Sequence, residues 1–282
     1  VKDYFFIDRV FKEHKIKIIF HAAAYKHVPL VEANPLQGLY NNYSSTHQIC
    51  KAAEKNNVDQ LVLISTDKAV RPTNVMGASK RLAELVMQSY AFKNIPNEAD
   101  KRKTLYTMVR FGNVLGSSGS VVPLFKKQIS EGGPITVTHK DITRYFMTLT
   151  EAAQLVLQAA TLAEGGDLFL LDMGKPVKIY DLAKRMIRLS GLKIKLDNNN
   201  SGDIEIITTS LRPGEKLYEE LLIDAKSIKT KHPLIFKAIE KFIPYEDLYP
   251  KLIELDELII KQDVENALKI LKDLVPEWKE VD

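Results

Sequence analysis

The stretch STDKAVRPTNVMGASKR (65–81) decides the fold of this 282-residue chain. It follows LVLI (61–64), an apolar run too short for a helix and bounded by polar residues, which reads as a buried parallel strand. It leads into a helical pattern over 76–92. Ser65, Thr66, Asp67 and Lys68 therefore fall at the C-terminal end of a strand, where open α/β sheets bind ligands. A carboxylate beside an ammonium there can exchange protons with a substrate, although a solvated turn is an equal reading of the pair alone. Met76 and Lys80, four apart, share a helix face. Met76 stands where proton chemistry ordinarily wants a hydroxyl, and core packing is its simplest role.

Outward from this stretch the pattern repeats. KIKIIF (15–20) reads as a strand that delivers HAAAYKH (21–27), and LYTMV (105–109) as another that ends in RFGNVLGSSGSVVP (110–123). Helices are expected over 1–15, with Phe5, Phe6, Val10 and Phe11 on one side, over 36–57, with Asn41 and Asn42 in its early turns, and over 76–92. A turn is expected at 31–34 and a charged surface loop at 97–103. Strands alternating with helices in this way form βαβ units and a parallel sheet with right-handed crossovers. Ala22, Ala23 and Ala24 let a flat group approach the backbone, or simply let strand and helix pack closely. His21 and His27 read as hydrogen-bonded structural histidines. A dinucleotide-binding fold opens on GxGxxG followed later by an acidic residue, and this chain carries no such fingerprint. Its first strand already has the feature expected of a fourth. Residue 1 is therefore expected to lie within a domain whose glycine-rich half is absent.

Beyond Pro123 the texture changes. A helix is expected over 121–131, broken at Gly132-Gly133-Pro134, then strands at 135–138, 168–171 and 204–207. Thr148 and Glu151 have capping-box spacing at the head of a helix that runs to about Ala163, and a helix over 179–190 stops at Gly191. From Asp224 onward the pattern is helical, strongest over 245–260 and 264–274, and carries no chemistry. The run Asn198-Asn199-Asn200 is the one low-complexity segment.

Composition excludes several classes. The chain is 45% hydrophobic and 27% charged, as a globular protein is, and its 40 basic against 36 acidic residues give +4. That mild excess suits anionic small molecules and is too weak to argue for nucleic acid. One cysteine, Cys50, rules out an intramolecular disulfide and fits a reducing compartment. No apolar run reaches a membrane span, and no His/Cys/Asp/Glu spacing suggests a metal.

Residues 61–81, 107–123, 143–148 and 211–217 together resemble the extended short-chain dehydrogenase/reductase superfamily. More narrowly, they resemble the nucleotide-sugar 4,6-dehydratases of bacterial polysaccharide biosynthesis, which act on UDP-N-acetylglucosamine. HAAAYKHVP, STDKAVRPTN, MGASKR, RFGNVLGSSGSV and RPGEK in this order carry the resemblance, which spans about 17–223. Methionine in place of the superfamily's tyrosine points to the long, membrane-tethered capsular branch.

The resemblance implies an α/β fold: the C-terminal part of a Rossmann-type parallel sheet, a smaller mixed α/β substrate region, and C-terminal helices. The corresponding domains are 1–120, 121–223 (interleaved with the first) and 224–282. It implies NAD as cofactor, with NADP the open alternative, a UDP-N-acetylhexosamine substrate, no nucleic acid and no metal. It also implies a homo-oligomer in the cytoplasm, at the inner membrane face if a membrane-spanning N-terminal part exists. The family reaction oxidises C4, eliminates water across C5 and C6, and returns hydride to C6. On this basis Lys68 is the C5 base, Asp67 the acid for the leaving hydroxyl, Thr66 a hydrogen-bond partner of the C4 oxygen, and Met76 the tyrosine's replacement. Lys80, Ser65, Ala22, Ala23, Ala24, Lys26 and Asn41 match cofactor-binding positions. Arg110, Asn113, Gly119, Ser120, Arg144, Tyr145, Arg212 and Lys216 match substrate-binding segments, with Tyr145 bordering the uracil. The alternatives are a C5-inverting dehydratase, a nucleotide-sugar 4-epimerase, or an inactive fragment that serves binding or assembly.

Overall fold

A computed structural model describes residues 1–93, 104–195, 202–220 and 227–279. The expectations for 97–103, 198–200 and 224–226 lie outside the described residues. The chain forms two compact units. One comprises Val1–Phe111, Gln154–Asp172 and Glu220–Asp282, and the other Gly112–Ala153 and Met173–Glu219.

The first unit is built on a six-stranded sheet in the order Ile18–His21, Gln60–Ile64, Leu105–Arg110, Asp167–Leu171, Ile235–Ala238, Ser227–Lys229. The first four strands run parallel, with Ile64 opposite Val109 and Arg110 opposite Leu170. Leu61, Val62 and Leu63 are all buried, so both faces of the strand are covered and the sequence reads as a continuous apolar run rather than an alternating one. The last two strands are antiparallel additions from a region expected to be wholly helical. The C-terminal segment thus belongs to the first unit, whose opening stretch ends at Phe111.

Helix Val75–Phe92 is buried from Val75 to Tyr90. Its start is fixed by Asn74, whose Oδ1 accepts from the Gly77 amide at 2.8 Å. Leu82, Leu85 and Met87 pack in one cluster with Leu248, Leu252 and Leu255 of helix Tyr245–Ile260 and Leu271 of helix Val264–Leu274. The expected helix over 36–57 is in fact Pro35–Leu39, a π-helical turn Tyr40–Ser44 and helix Ser45–Lys55, and the expected turn before it is helix Val28–Ala33. The Ser45 and Thr46 hydroxyls donate back to the carbonyls of Asn41 and Asn42 at 2.5 and 2.9 Å, partnering oxygens in the wide turn. Helix Tyr4–His14 buries only Ile7, leaving Phe5 and Phe6 exposed rather than packed.

The second unit pairs Ile135–Val137 with Ile206–Thr208, Asn113–Val114 with Phe146–Met147, and Thr143–Arg144 with Val177–Lys178. Phe125 of helix Val121–Ser130 and Ile179, Ala183 and Ile187 of helix Ile179–Leu189 pack on Ile135 and Val137. The capping box opens helix Leu149–Thr161: the Thr148 amide donates to Glu151 Oε2 at 2.8 Å and the Glu151 amide to Thr148 Oγ1 at 3.2 Å. No described helix is long and apolar enough to cross a membrane.

Candidate active site

In the first unit the strand Gln60–Ile64 ends in a short turn held to its neighbour. The Ser65 amide donates to the Val109 carbonyl at 2.8 Å and the Asp67 amide to that of Phe111 at 3.1 Å. A single helical turn, Asp67–Ala69, follows, with the Thr66 hydroxyl accepting from the Lys68 amide. Asp67 is completely buried. Its Oδ1 accepts from Thr66 Oγ1 and from Lys68 Nζ, each at 3.0 Å. Its Oδ2 is buried with no hydrogen-bond partner among the described residues. A buried carboxylate oxygen in that state carries a desolvation cost that a donor arriving from outside would relieve.

Met76 is buried on the helix that follows, an apolar side chain in the core. Lys80, one turn on, is 6% exposed, and its amine donates to the Ile64 carbonyl at 2.8 Å. Burial pushes its ammonium down to about 8, with the charge of Glu84 opposing the shift. His21 ends the neighbouring strand with Nε2 3.0 Å from Thr46 Oγ1, and burial, with Lys80 beside it, pushes it down to about 3. It is a neutral structural residue. Ala22 and Ala23 are exposed just beyond it and present only methyl groups and backbone. This open floor and the buried Lys80 amine lie at the C-terminal ends of adjacent parallel strands. Lys26 and Ala24 line a cavity of about 540 Å³ with His27, Leu30 and Gly38. Asn41 is half-buried and donates to Asn42 Oδ1 at 3.3 Å.

Two expected ligand-binding residues are engaged elsewhere. Arg110, expected at the substrate phosphates, is completely buried. Its Nε and Nη2 donate to Glu84 at 2.8 and 2.6 Å, and its Nη1 and Nη2 to Glu240 at 2.6 and 2.9 Å. Four of its five N–H groups are engaged and its charge is neutralised, so it leaves the substrate set. Ser65, expected at the cofactor, donates its hydroxyl to Glu84 Oε1 at 2.6 Å.

In the second unit, Asn113, Gly119, Ser120, Arg144 and Arg212 line one cavity of about 200 Å³ together with Thr136, Thr138, Phe146 and Glu215. Gly119 has φ 67°, a left-handed conformation that suits glycine, and delivers Ser120 to the head of helix Val121–Ser130. Ser120 Oγ makes no capping bond, and it is buried without a partner among the described residues. Helix amides with an unused hydroxyl, faced by the exposed Arg212, form a cradle for an anion. Arg144 is nearly buried, with Nη2 3.3 Å from Glu215 and Nε 3.7 Å from Glu219, so part of its charge is already balanced. Tyr145 and Lys216 are not among the lining residues, and the aromatics there are Phe125 and Phe146. Side chains alternate along extended chain, which sets Arg144 and Phe146 on one side and Tyr145 on the other.

Asn42 is expected in the sequence only as part of an early helical turn, without a role, and Glu84 is not singled out there. Asn42 receives the Tyr25 amide on Oδ1 at 2.7 Å, and its Nδ2 donates to the Tyr25 carbonyl at 3.0 Å and to Ser79 Oγ at 2.9 Å. It thereby ties the alanine loop to the helix of Met76 and Lys80. A carboxylate four residues after Lys80, on a helix otherwise buried, was the available signal for Glu84. Among the described residues no group of three His, Cys, Asp or Glu could hold a metal ion.

Comparison with known proteins identifies the family. The profile described as "Polysaccharide biosynthesis protein" matches residues 1–240. A relative named capsular polysaccharide biosynthesis protein CapD, from Staphylococcus aureus, is 57% identical over 213 residues, 76% of this chain and 33% of its own length. A protein of Rickettsia canadensis named UDP-glucose 4-epimerase is 38% identical over 222 residues, 79% of this chain and 60% of its own. The solved dTDP-glucose 4,6-dehydratase DesIV of Streptomyces venezuelae, with NAD bound, has the same fold, with a TM-score of 0.64 at 19% identity over 78% of this chain and 68% of its own. The chain spans about a third of the length of the S. aureus relative.

Proposed function

Because this chain belongs to the polysaccharide biosynthesis protein family, we propose that it is the catalytic portion of an NAD-dependent 4,6-dehydratase of UDP-N-acetylglucosamine. The observation that carries this reading is the Lys68–Asp67 contact of 3.0 Å at a strand end, with Asp67 Oδ2 buried and unpartnered among the described residues. A hydroxyl is absent at position 76, where a methionine has no proton to give. The elimination needs a base at C5 and an acid at C6, and an adjacent amine and carboxyl supply both. Moving one proton across the Lys68–Asp67 hydrogen bond leaves a neutral amine and a neutral carboxylic acid, the two forms required, without changing the charge of the turn. Lys68 then takes the C5 proton and Asp67 protonates the departing C6 hydroxyl, so that one water leaves.

NAD, when bound, would accept the hydride from C4 and return it to C6. The C4 hydroxyl proton passes to solvent, Lys68 gives its proton back to C5 as the hydride arrives, and solvent restores the proton that Asp67 gave up. The open methyl floor at Ala22 and Ala23 suits a flat ring, and the Lys80 amine suits the ribose hydroxyls. The 19%-identical dehydratase carries NAD on the same fold. Thr66 Oγ1, whose own proton goes to Asp67 Oδ1, hydrogen-bonds the C4 hydroxyl as acceptor. The cradle of Gly119, Ser120 and Arg212 receives the diphosphate, with Asn113 and Arg144 beside it.

The R. canadensis relative's name favours a second reading, 4-epimerisation. An epimerase has no use for an acid at C6, and the two reactions differ by a mass of one water. Incubating the full-length protein with UDP-N-acetylglucosamine and NAD and weighing the product separates them. Loss of water supports the dehydratase, and an unchanged mass with a new sugar configuration overturns it. No turnover would leave the chain as a binding or assembly module.

A further inference from the structure

Beneath the Ser65–Lys68 turn lies a buried charge network that no step of the reaction uses. Glu84 is completely buried at its centre. It accepts from Arg110 Nε and Nη2 at 2.8 and 2.6 Å, from Arg81 Nη1 at 3.1 Å and from the Ser65 hydroxyl at 2.6 Å. Both arginines reach onward into the C-terminal segment. Arg110 bonds Glu240, while Arg81 meets Glu240 at 3.1 Å, Glu277 at 2.9 Å and the Lys241 carbonyl at 3.1 Å. Burial alone would push the Glu84 carboxyl up. The charges and hydrogen bonds of Arg110, with Arg81 and Ser65, hold it below the ordinary range instead. An ionised carboxylate can only accept, so the Ser65 hydroxyl must donate to it.

We propose that the Ser65–Glu84 pair is a positioning device: Glu84, anchored by Arg81 and Arg110 and through them by Glu240 and Glu277, holds the strand-end turn that carries Asp67 and Lys68. The turn is then clamped twice, by its amides to Val109 and Phe111 on the strand side and by the Ser65 hydroxyl on the helix side. The second clamp gives the C-terminal segment a hold on the geometry of the reacting groups. Glu84 and Ser65 act through Asp67 and Lys68 and touch no substrate. The catalytic part of this inference rests on the dehydratase reading above, and the structural part does not.

Ser65→Ala removes one oxygen and leaves both arginine–glutamate pairs intact. In the full-length protein, the Asp67, Ala69 and Val70 amides should exchange with deuterium about tenfold faster than in the parent, while those of the strand Gln60–Ile64 keep the parental rate. The same variant should lose about tenfold in kcat, with KM for the UDP-sugar within about twofold. Parental exchange at residues 67–70 overturns the proposal, and so does a uniform loosening of the whole sheet, which would make the bond a general prop. If the parent makes no dehydrated product, the reaction reading has failed, and the exchange measurement still decides the clamp.

Discussion

Lys68 donates to Asp67 Oδ1 across 3.0 Å, while the other oxygen of that carboxylate is buried without a hydrogen-bond partner among the described residues. One side of the pair is satisfied internally and the other is poised for a donor that comes from outside. In the proposed reaction, proton transfer moves from helix position 76, where methionine packs in the core, to the end of the strand. The three further groups of the first unit that support this site, Lys80, Arg110 and Gly77, are each open to a separate test.

Lys80 supplies a pH signature. Its folded value of about 8 lies below the ordinary 10.5, so below pH 8 both folded and unfolded chains carry the proton and the cost of burying it is fully present. Between pH 8 and 10.5 the unfolded chain binds more proton, and stability rises with pH. Urea denaturation of the parent and of Lys80→Met at pH 7 and pH 10 should show the parent gaining on the variant by up to about 3 kcal/mol. No relative gain would mean that the amine is not held in a dry site.

Arg110 should behave as a structural ion-pair partner. Arg110→Met leaves Glu84 and Glu240 to share Arg81 alone in the interior and should cost about 3 kcal/mol or more of stability, while whatever folds keeps KM for the UDP-sugar. A phosphate ligand would give the reverse, a raised KM with parental stability.

These outcomes mark what could be read locally. Helix Val75–Phe92, helix Tyr245–Ile260 and helix Val264–Leu274 were legible because they are long and periodic, and the first has an asparagine cap. Strands Ser227–Lys229 and Ile235–Ala238 were not, since each is three or four residues long: Ile235–Ala238 becomes a strand by pairing onto Leu168–Leu171, and Ser227–Lys229 by pairing onto Ile235–Ala238 in turn. The reacting turn was legible from its place after an apolar run. The fate of Arg110 was not, because it depends on Glu84, 26 residues before it, and Glu240, 130 residues after it. Tyr145 and Phe146 are neighbours in one motif, and only the pleat decides which side chain faces the cavity.

Gly77 couples the reacting turn to the helix. A Cβ built there would stand 2.3 Å from the Lys68 carbonyl oxygen, a backbone atom that cannot swing aside. Gly77→Ala should cost about 1–3 kcal/mol and push Lys68 away, lowering kcat by about tenfold or more. Parental kcat would show that the turn tolerates displacement.

Arg212 tests the cradle of the second unit. Arg212→Ala should raise KM for the UDP-sugar about tenfold or more, the worth of one charge-assisted hydrogen bond, and leave kcat within a few-fold. A fall in kcat with unchanged KM would remove Arg212 from substrate binding.

The central claim is that Asp67 and Lys68, and not position 76, move the protons. Its most direct test is turnover of Lys68→Ala, Asp67→Asn and Met76→Leu side by side in the full-length protein, with formation of the 4-keto-6-deoxy sugar as the signal. We predict losses of at least about a hundredfold for the first two and parental turnover within a few-fold for Met76→Leu. Near-normal turnover in Lys68→Ala or Asp67→Asn, or collapse in Met76→Leu alone, would contradict it.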